Sequence, residues 1–487
     1  MTDTAESRVA LSACRRPRDQ YAAQSFLTVL YKTWHNTAPA SPLLCDFLRR
    51  QLRVSGAVLL FDFMSAPSSS SRSALFHQPS GFLAFLLARV LAMVATQVQA
   101  VVVAWQVYDL TREPMALAYV GLAQFLPMLF LLLPAGDLID RLPRKRILGV
   151  SWGVGAVCSA LLWWLSDHGH EGVSDIYAVL VLFGASRAFS GPAMQSLLPQ
   201  LVTREQLPQA IATNTMVMRS AAIGAPMLGG LLYGAGGSHA TYPICMVAFA
   251  AGALLLQKVR VLYSTAHQSG AAMPQPGNTN IWQRFGIGIR FIFRRPMILG
   301  TISLDLFAVL LGGVVALLPI YAHEVLQVGP QGLGLLRSSA AVGEVAAGIC
   351  LSMFPFNAKV GQRMLLAVAV FGIANLVFAL SHWMWLSCLA LAIAGAADMV
   401  SVYVRGALLQ FATPDEMRGR VNAVNMLFIG SSNELGEFRA GASAAWIGAV
   451  PAAIAGGLCT LGVVGLWSYL FPPLRTVNRF EDAQNRD

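Results

Sequence analysis

Ionisable side chains inside long apolar stretches are the residues of this sequence best suited to chemistry. Arg89, Arg187, Asp305 and Asp398 each lie inside such a stretch. A charged residue at the centre of a bilayer costs about 2.5–3.5 kcal/mol, so each of these groups needs a partner or water. Counted from the basic end of each stretch, all four lie about eight or nine residues deep, roughly 12–14 Å at the rise of a helix. Two cations and two anions thus share one depth in the membrane.

Three glutamates occupy the middle of other apolar stretches, namely Glu344, Glu434 and Glu437. A low-dielectric environment disfavours the charged form of a carboxyl group, so each of them could carry a proton at neutral pH. Alternatively, Glu434 and Glu437 pair with Arg439 or with neighbouring helices as structural contacts. The sequence supports both interpretations equally.

Uncharged polar residues give further candidates for contact with a solute, and the missing motifs argue against an enzyme or an ATP-driven protein. Thr96, Gln99 and Gln106 fall on one side of a single predicted helix, where they contact either a solute or neighbouring helices. The eight histidines and seven cysteines form no triad, no CxxC and no metal-ligand spacing. A GxxxxGK[ST] phosphate-binding loop is also missing from the sequence. We therefore expect no enzyme activity, no cofactor, no metal site and no direct use of ATP.

The elements that position these residues are membrane helices. The chain of 487 residues is 56% hydrophobic and only 12% charged, which departs strongly from soluble proteins. Apolar windows of about 20 residues, the length that crosses a bilayer, predict twelve spans in an all-α membrane protein. The spans cover residues 81–107, 117–139, 147–166, 175–196, 213–234, 240–260, 297–322, 332–354, 361–381, 383–405, 421–445 and 449–471.

Basic residues alternate between the connections. Arg141, Arg144, Lys145 and Arg146 follow span two, whereas connections such as SDHGHEGVSD and GAGGSHAT contain no Lys or Arg. The positive-inside rule then places both termini on the cytoplasmic side of the inner (plasma) membrane. The net charge of +10 thus reflects membrane topology, and we expect no nucleic-acid partner.

The spans fall into two sets of six, flanked by soluble segments. The predicted divisions are an N-terminal extension (1–80), a first bundle (81–260), a linker with an amphipathic helix (261–296), a second bundle (297–471) and a cytoplasmic tail (472–487). We expect the extension to be disordered, with Met64 as an alternative start of translation. QLVTREQLPQA at 200–210 and QFATPDEMRGR at 410–420 precede equivalent spans. This weak repeat predicts two pseudo-symmetric bundles around a midplane site, as in secondary transporters.

One loop carries a recognisable motif. Residues 136–145 read GDLIDRLPRK, and Gly136, Asp140, Arg141, Arg144 and Lys145 match the pattern Gly, three residues, Asp-Arg, two residues, Arg-Lys. This segment resembles the loop between helices two and three of the major facilitator superfamily. FGASRAFSG at 183–191 and APMLGG at 225–230 resemble further motifs of that superfamily, and the first of them also resembles the branch of enterobactin exporters and secretion-type facilitators.

The resemblance implies a cytoplasmic gate at this loop. Asp140 would face the start of helix eleven, near Val421 and Asn422, when the cytoplasmic side is closed. The three basic residues of the motif would bind acidic groups or lipid phosphates. On the residues alone, the alternative is that the basic residues only set membrane orientation.

The resemblance also implies where the buried charges meet. In this family helices one, four, seven and ten line a central cavity. Arg89 and Arg187 would then pair with Asp305 and Asp398 across the two bundles when the protein faces outward, and separate when it opens inward. The alternative is snorkelling or a static structural bridge.

Together these features predict a facilitator that moves a small molecule outward by alternating access, in exchange for protons, as a monomer in the lipid bilayer. The cargo would be an amphipathic, partly anionic compound such as a siderophore, or a drug-like cation attracted by Asp305 and Asp398. Two alternatives stay open. One is an importer of the same fold, and the other is a membrane sensor or scaffold that does not transport.

Overall fold

A computed structural model describes residues 80–168, 172–203, 205–259 and 281–483, and this part of the chain is mostly helical, without strands. The N-terminal extension, the alternative start at Met64 and most of the linker lie outside the described residues. The expectation of disorder for the extension therefore stays a prediction.

Five helices form the part of the protein that we call the N-half. They are α1 (Ser80–Thr111), α2 (Pro114–Arg141), α3 (Arg144–Asp167), α4 (Val173–Leu197) and α5 (Leu207–Lys258). α5 is 52 residues long and is interrupted at Gly237, whose φ of 63° and ψ of −162° are not helical. Glycine adopts this conformation at little cost because it lacks a Cβ. The interruption gives α5 two arms, where the sequence predicts spans five and six.

Eight helices form the C-half. They are α6 (Ile281–Arg294), α7 (Pro296–Gly312), α8 (Gly329–Met353), α9 (Val360–Leu380), α10 (Met384–Ala412), α11 (Asp415–Ile447), α12 (Ala449–Leu470) and the short α13 (Pro472–Thr476). After α7 the chain continues in single turns, first a 3₁₀ turn (Val315–Leu317), then an α turn (Leu318–Ile320) and a π turn (Tyr321–Val325). α6 is amphipathic, as predicted, with Ile292 buried and Arg290 and Arg294 exposed.

Ten helices of the described residues are long and apolar enough to cross a membrane. One of the ten is α5, which has the length of two spans. α11 is not among them because its sequence carries several acidic and basic residues along its length, Glu434, Glu437 and Arg439 included. The protein is thus an all-helical, multi-pass membrane protein, whereas twelve crossings and pseudo-symmetry stay predictions.

Three apolar clusters stabilise the described helices. One draws its buried residues from the N-half alone, and another draws them from the C-half alone. The third joins the two halves, with Trp105 and Tyr108 of the N-half packed among residues such as Leu318, Tyr321 and Phe378 of the C-half. We call the end of the protein that holds this joint cluster the closed end. The opposite end, where α2 ends and α3 begins, is the basic end.

Candidate functional site

A cavity of about 450 Å³ lies between the two halves. It is lined by polar and charged side chains of both halves, namely Thr96, Gln97, Gln99, Gln124, Arg187, Arg337, Glu344, Glu434 and Glu437, with apolar residues between them. A second pocket of about 480 Å³ adjoins it on the N-half side and shares Thr96, Gln97, Phe183, Arg187 and Ala222 with it. We call these spaces the central cavity and the N-half pocket. Both lie in the volume range of small-molecule sites.

The crossing of α5 and α8 lies at the closed end. A methyl group on Gly230 would overlap the carbonyl oxygen of Pro330 and would lie 3.1 Å from the Cα of Gln331. A methyl group on Gly334 would lie 2.5 Å from the carbonyl oxygen of Pro226. Glycine at 230 and 334 therefore allows the two backbones to touch. The predicted APMLGG motif ends at Gly230, so its last residue serves packing between the halves.

Polar side chains add to the closed end. The Tyr108 hydroxyl at the end of α1 donates a hydrogen bond to Glu324 in the π turn after α7. Arg112 Nη1 lies 3.0 Å from Nδ1 of the His323 ring, and its Nη2 lies 2.6 Å from Asp109 Oδ1. The contacts of Tyr108 and Arg112 thus join the end of α1 and the residue after it to the π turn that follows α7, in the other half.

Two ion pairs cross between the halves at the central cavity. Arg219 Nη1 of α5 lies 2.8 Å from Glu344 Oε2 of α8, and these side chains are 44% and 34% exposed. Arg187 Nη1 of α4 lies 3.6 Å from Glu434 Oε1 of α11 and 3.3 Å from Gln124 Oε1. Since the paired groups are partly exposed, each pair can open without leaving a fully buried, unpaired charge.

Glu437 lies where α2 and α11 cross. The Cβ of Glu437 would be 3.7 Å from a methyl group on Gly121, and a methyl group on Gly441 would lie 2.9 Å from the Cβ of Ala118. Arg337 of α8 and Arg187 of α4 are the basic neighbours whose charges act on Glu437. No ion pair within 4 Å involves Glu437 in the described part of the chain. The carboxyl group thus faces the central cavity beside a partly buried arginine.

Asp305 pairs within its own half in this conformation, and the pairing between halves expected for an outward-facing conformation stays a prediction. It is buried and forms an ion pair with Arg405 of α10, so both partners belong to the C-half, with side chains 6% and 4% exposed. Arg405 lies on the buried face of α10 at the level of Asp305, and the carboxylate is therefore neutralised within its own half. Asp398 is half-buried, and its charged neighbours are Glu344 and Arg219. Only Asp398 thus lies near an arginine of the N-half, and that arginine is neither of the predicted partners.

Arg89 lines the N-half pocket, where its Nη1 donates a hydrogen bond of 2.6 Å to Asn214 Oδ1. Thr96 lines both spaces. Gln99 lines the central cavity and accepts a hydrogen bond of 2.7 Å from the Ser159 hydroxyl.

Gln106 is placed differently from Thr96 and Gln99. It is buried, donates a hydrogen bond to Ser166 Oγ and accepts one from the Tyr242 hydroxyl. These contacts join helices within the N-half. For Gln106 they fit the structural alternative better than contact with a solute.

The basic loop has a structural role in the N-half. Arg144 Nη1 donates to the carbonyl oxygen of Ser196 near the end of α4, and Lys145 Nζ donates to the carbonyl oxygens of Gln257 and Val259 at the end of α5. Cations are stabilising at helix C-termini, where carbonyl groups lack partners. The helix ends thus offer unpaired acceptors to both side chains, and the binding of acidic groups or lipid phosphates by this loop stays a prediction.

The remaining motif residues belong to α2. The helix continues through Gly136 and Asp140 and ends at Arg141, so the connection to α3 is only Leu142 and Pro143. The side chains of Asp140 and Arg141 lie outside the described part of the structure. The contact of Asp140 with the start of α11 stays a prediction.

Sequence reasoning missed three arginines, Arg219, Arg337 and Arg405. The rule that singled out Arg89 and Arg187 applied to Arg219 and Arg337 as well, but not to Arg405, whose predicted span ends earlier than the helix. Arg219 falls within predicted span five, Arg337 within span eight, and Arg405 is the last residue of span ten. Among the described residues, no three His, Cys, Asp or Glu side chains come together as a metal site.

Comparisons with known proteins agree with the fold. The chain is 26% identical over 353 residues to proteins named enterobactin exporter EntS of Shigella dysenteriae and of Escherichia coli, a match that covers 70% of this chain and 80% of those proteins. Its fold resembles that of a bacterial homologue of the lysosomal transporter Spinster in an inward-facing, occupied conformation, with a TM-score of 0.60, 16% identity and coverage of 83% and 96%. It also resembles a bacterial homologue of the iron transporter ferroportin in an inward-facing state, with a TM-score of 0.59, 18% identity and coverage of 81% and 98%.

The family comparison covers the whole described region. A family profile described as transmembrane secretion effector matches residues 71–486. This chain therefore belongs to the transmembrane secretion effector family of major facilitator transporters.

Proposed function

We propose that this transporter exports a small molecule by alternating access, in which the N-half and the C-half move about the central cavity. The observation that carries the proposal is the unequal interface between the halves. Backbone contact and a joint apolar cluster hold the closed end, whereas partly exposed ion pairs join the halves at the cavity. Such an interface can exchange one set of contacts for another without unfolding either half.

Sidedness follows from the positive-inside rule. The basic loop between α2 and α3 lies at the basic end, so that end faces the cytoplasm and both termini are cytoplasmic. The closed end then faces the outside of an inner membrane. The cavity, which the closed end seals from outside, takes up its cargo from the cytoplasm in this conformation.

The relatives of this chain favour one direction of transport and one class of cargo. Proteins named enterobactin exporter match 70% of this chain, which favours outward transport of a siderophore-like compound. A drug-like compound is the second cargo class. An importer of the same fold would instead accumulate the compound in intact cells that overexpress the chain.

Proton coupling rests on the carboxyl groups of the C-half. Glu344, Glu434 and Glu437 line the central cavity, and Glu344 and Glu434 pair with arginines of the N-half. A carboxyl group that loses its cationic partner away from bulk water takes up a proton more readily. Movement of the halves thereby changes proton affinity, and a proton gradient drives the movement in return.

Everted membrane vesicles test the proposal. Vesicles that contain the chain and have an acidic interior, without ATP, are expected to accumulate enterobactin or compounds of a drug panel. A protonophore should abolish the accumulation. Glu434→Gln should remove the response to the pH gradient yet leave exchange of cargo down its own gradient, and Glu113→Gln, which changes an exposed glutamate outside the cavity, should act like the unaltered chain.

Two results would contradict the proposal. Accumulation that is indifferent to the pH gradient would refute proton coupling. If the chain moves none of the compounds in either direction, a membrane sensor or scaffold is favoured instead. The N-terminal extension is the sequence feature that supports this alternative. Export that persists after deletion of residues 1–63 would oppose that alternative.

A further inference from the structure

The N-half pocket has a lining of one charge sign. The charged side chains that line it are Arg89, Arg187 and Arg219, and no Asp or Glu is among its lining residues, all of which belong to the described part of the chain. Uncharged donors surround them, including Asn214 and Thr215. Three guanidinium groups around one space produce a positive potential, because low-dielectric walls reduce screening.

Arg89 is the least compensated of the three arginines. Its Nη1 donates to Asn214, whereas its Nε is buried and without a hydrogen-bond partner. No carboxylate lies within 4 Å of Arg89 in the described ranges. An amide oxygen cannot neutralise a guanidinium, so part of the cost of burying this cation stays uncompensated. A bound anion would supply both the missing charge and an acceptor for the free N–H group.

Arg187 and Arg219 already form ion pairs, but their carboxylate partners belong to the C-half. Glu434 lies 3.6 Å from Arg187, which is a long ion pair, and the Arg219–Glu344 pair is partly exposed. Weak or solvated pairs are open to competition from a ligand anion. An anion in the pocket would therefore bind Arg89 directly and compete with Glu434 and Glu344 for the other two arginines.

The rest of the lining suits an apolar ring system. The large apolar residues of the pocket are Met93, Trp152, Phe183, Met194, Met218 and Phe249. Aromatic side chains and methionines provide flat, polarisable contact surfaces for rings. A cationic cargo finds little here, since Asp305, one of the two carboxylates expected to attract it, is neutralised by Arg405.

We propose that the N-half pocket binds the acidic group and the attached ring system of an organic anion, with Arg89 as its anchor. The inference rests on the proposed function, because it takes the cargo to enter this cavity. It selects the organic anion over the drug-like cation, and it assigns recognition to the N-half and proton chemistry to the C-half.

Equilibrium binding to the purified full-length chain tests the inference independently of transport. Calorimetry would compare three probes of equal shape, namely naphthoate, naphthamide and naphthylmethylammonium. We expect naphthoate to bind tightest, the amide more weakly by roughly ten-fold, as for the loss of a charged hydrogen bond, and the ammonium weakest. Added salt should weaken naphthoate binding and leave amide binding unchanged.

Variants of the anchor complete the experiment. Arg89→Gln should remove the preference for naphthoate over the amide, Arg89→Lys should retain it, and Arg290→Gln, which removes an exposed arginine on α6, should change nothing. The probe series on the unaltered chain serves as a second test if Arg89→Gln does not fold. Equal binding of naphthoate and amide, a preference for the ammonium, or no binding of naphthoate would overturn the inference. Export without response to a pH gradient, with the naphthoate preference intact, would refute the proposed proton coupling alone.

Discussion

The two regions in which the halves meet are built from different contacts. At the closed end the backbones of α5 and α8 touch at Gly230 and Gly334, and a joint cluster buries Trp105 and Tyr108 among residues of the C-half. At the central cavity the halves meet through ion pairs, of which Arg219–Glu344 is the closest. No apolar cluster of the described helices joins the halves at the basic end.

This difference separates two tasks. Backbone packing is lost when two helices separate by tenths of an ångström. The close contact of α5 and α8 is therefore either formed or absent, which gives a well-defined closed state. Charges act over several ångströms and accept substitute partners, whether a proton, water or a ligand anion. Packing at the closed end therefore stabilises one conformation. Protons, water or ligand anions that bind at the cavity shift the equilibrium between conformations.

The largest effect is expected from a methyl group at the α5–α8 crossing. Gly230→Ala would overlap the Pro330 carbonyl oxygen, and overpacking of this kind costs about 1–3 kcal/mol. The closed end should open, and a cysteine in place of the buried Ala322 should react with a membrane-impermeant maleimide roughly ten-fold faster. Labelling rates in a background without the native cysteines would measure this.

A neighbouring glycine provides the control for that variant. Gly224 lies on the same arm of α5, and a methyl group there would have no atom within 4 Å. Gly224→Ala should label like the unaltered chain. Equal labelling of the two alanine variants would show that close packing at Gly230 does not hold the end closed.

An intermediate effect is expected from reversing charges at the cavity. Arg219→Glu or Glu344→Arg alone places like charges where the pair is now 2.8 Å apart. Transport should fall by roughly ten-fold, less than for a buried pair, because both groups are partly exposed. The double variant restores opposite charges and should regain much of the transport rate. A double variant as impaired as either single one would mean that the pair does not govern the interface.

The smallest effect is expected from one hydrogen bond at the closed end. Tyr108→Phe removes the bond to Glu324 and should destabilise the closed state by about 1 kcal/mol. Maleimide labelling at position 322 should rise by a few fold, well below the rise for Gly230→Ala. Tyr119→Phe is the matched control, since Tyr119 is exposed on α2. Similar labelling of the two phenylalanine variants would show that the hydrogen bond between Tyr108 and Glu324 does not stabilise the closed end.

The sequence was sufficient to predict these helices, because the length of an apolar stretch is read from consecutive residues. The predicted span at 81–107 lies within α1 and the span at 421–445 lies within α11, although α11 is too charged to qualify by hydropathy. The loop after span two was less well predicted, since α2 stays helical to Arg141. Its end depends on Pro143 and on helix ends of α4 and α5 that are distant in sequence.

The partners of the buried charges could not be predicted from the same information. Position along a span gives the depth of a side chain, but the direction it faces depends on how each helix is rotated against its neighbours. Asp305 therefore pairs with Arg405 within the C-half, and Glu344 pairs with Arg219, a residue that the same depth rule would have singled out. Arg89 is partly buried, and its contact with Asn214 could not be foreseen from the sequence.

Distances between spin labels on the two halves test the central claim most directly. One pair of labels would replace exposed Leu142 and Gly419 at the basic end, and the other would replace exposed Leu110 and Trp446 at the closed end. Pulsed electron paramagnetic resonance on the reconstituted protein, across pH and with naphthoate, should give two populations in which one distance shortens as the other lengthens. Distances that stay fixed at both ends, or that lengthen together, would contradict movement of the halves about the cavity.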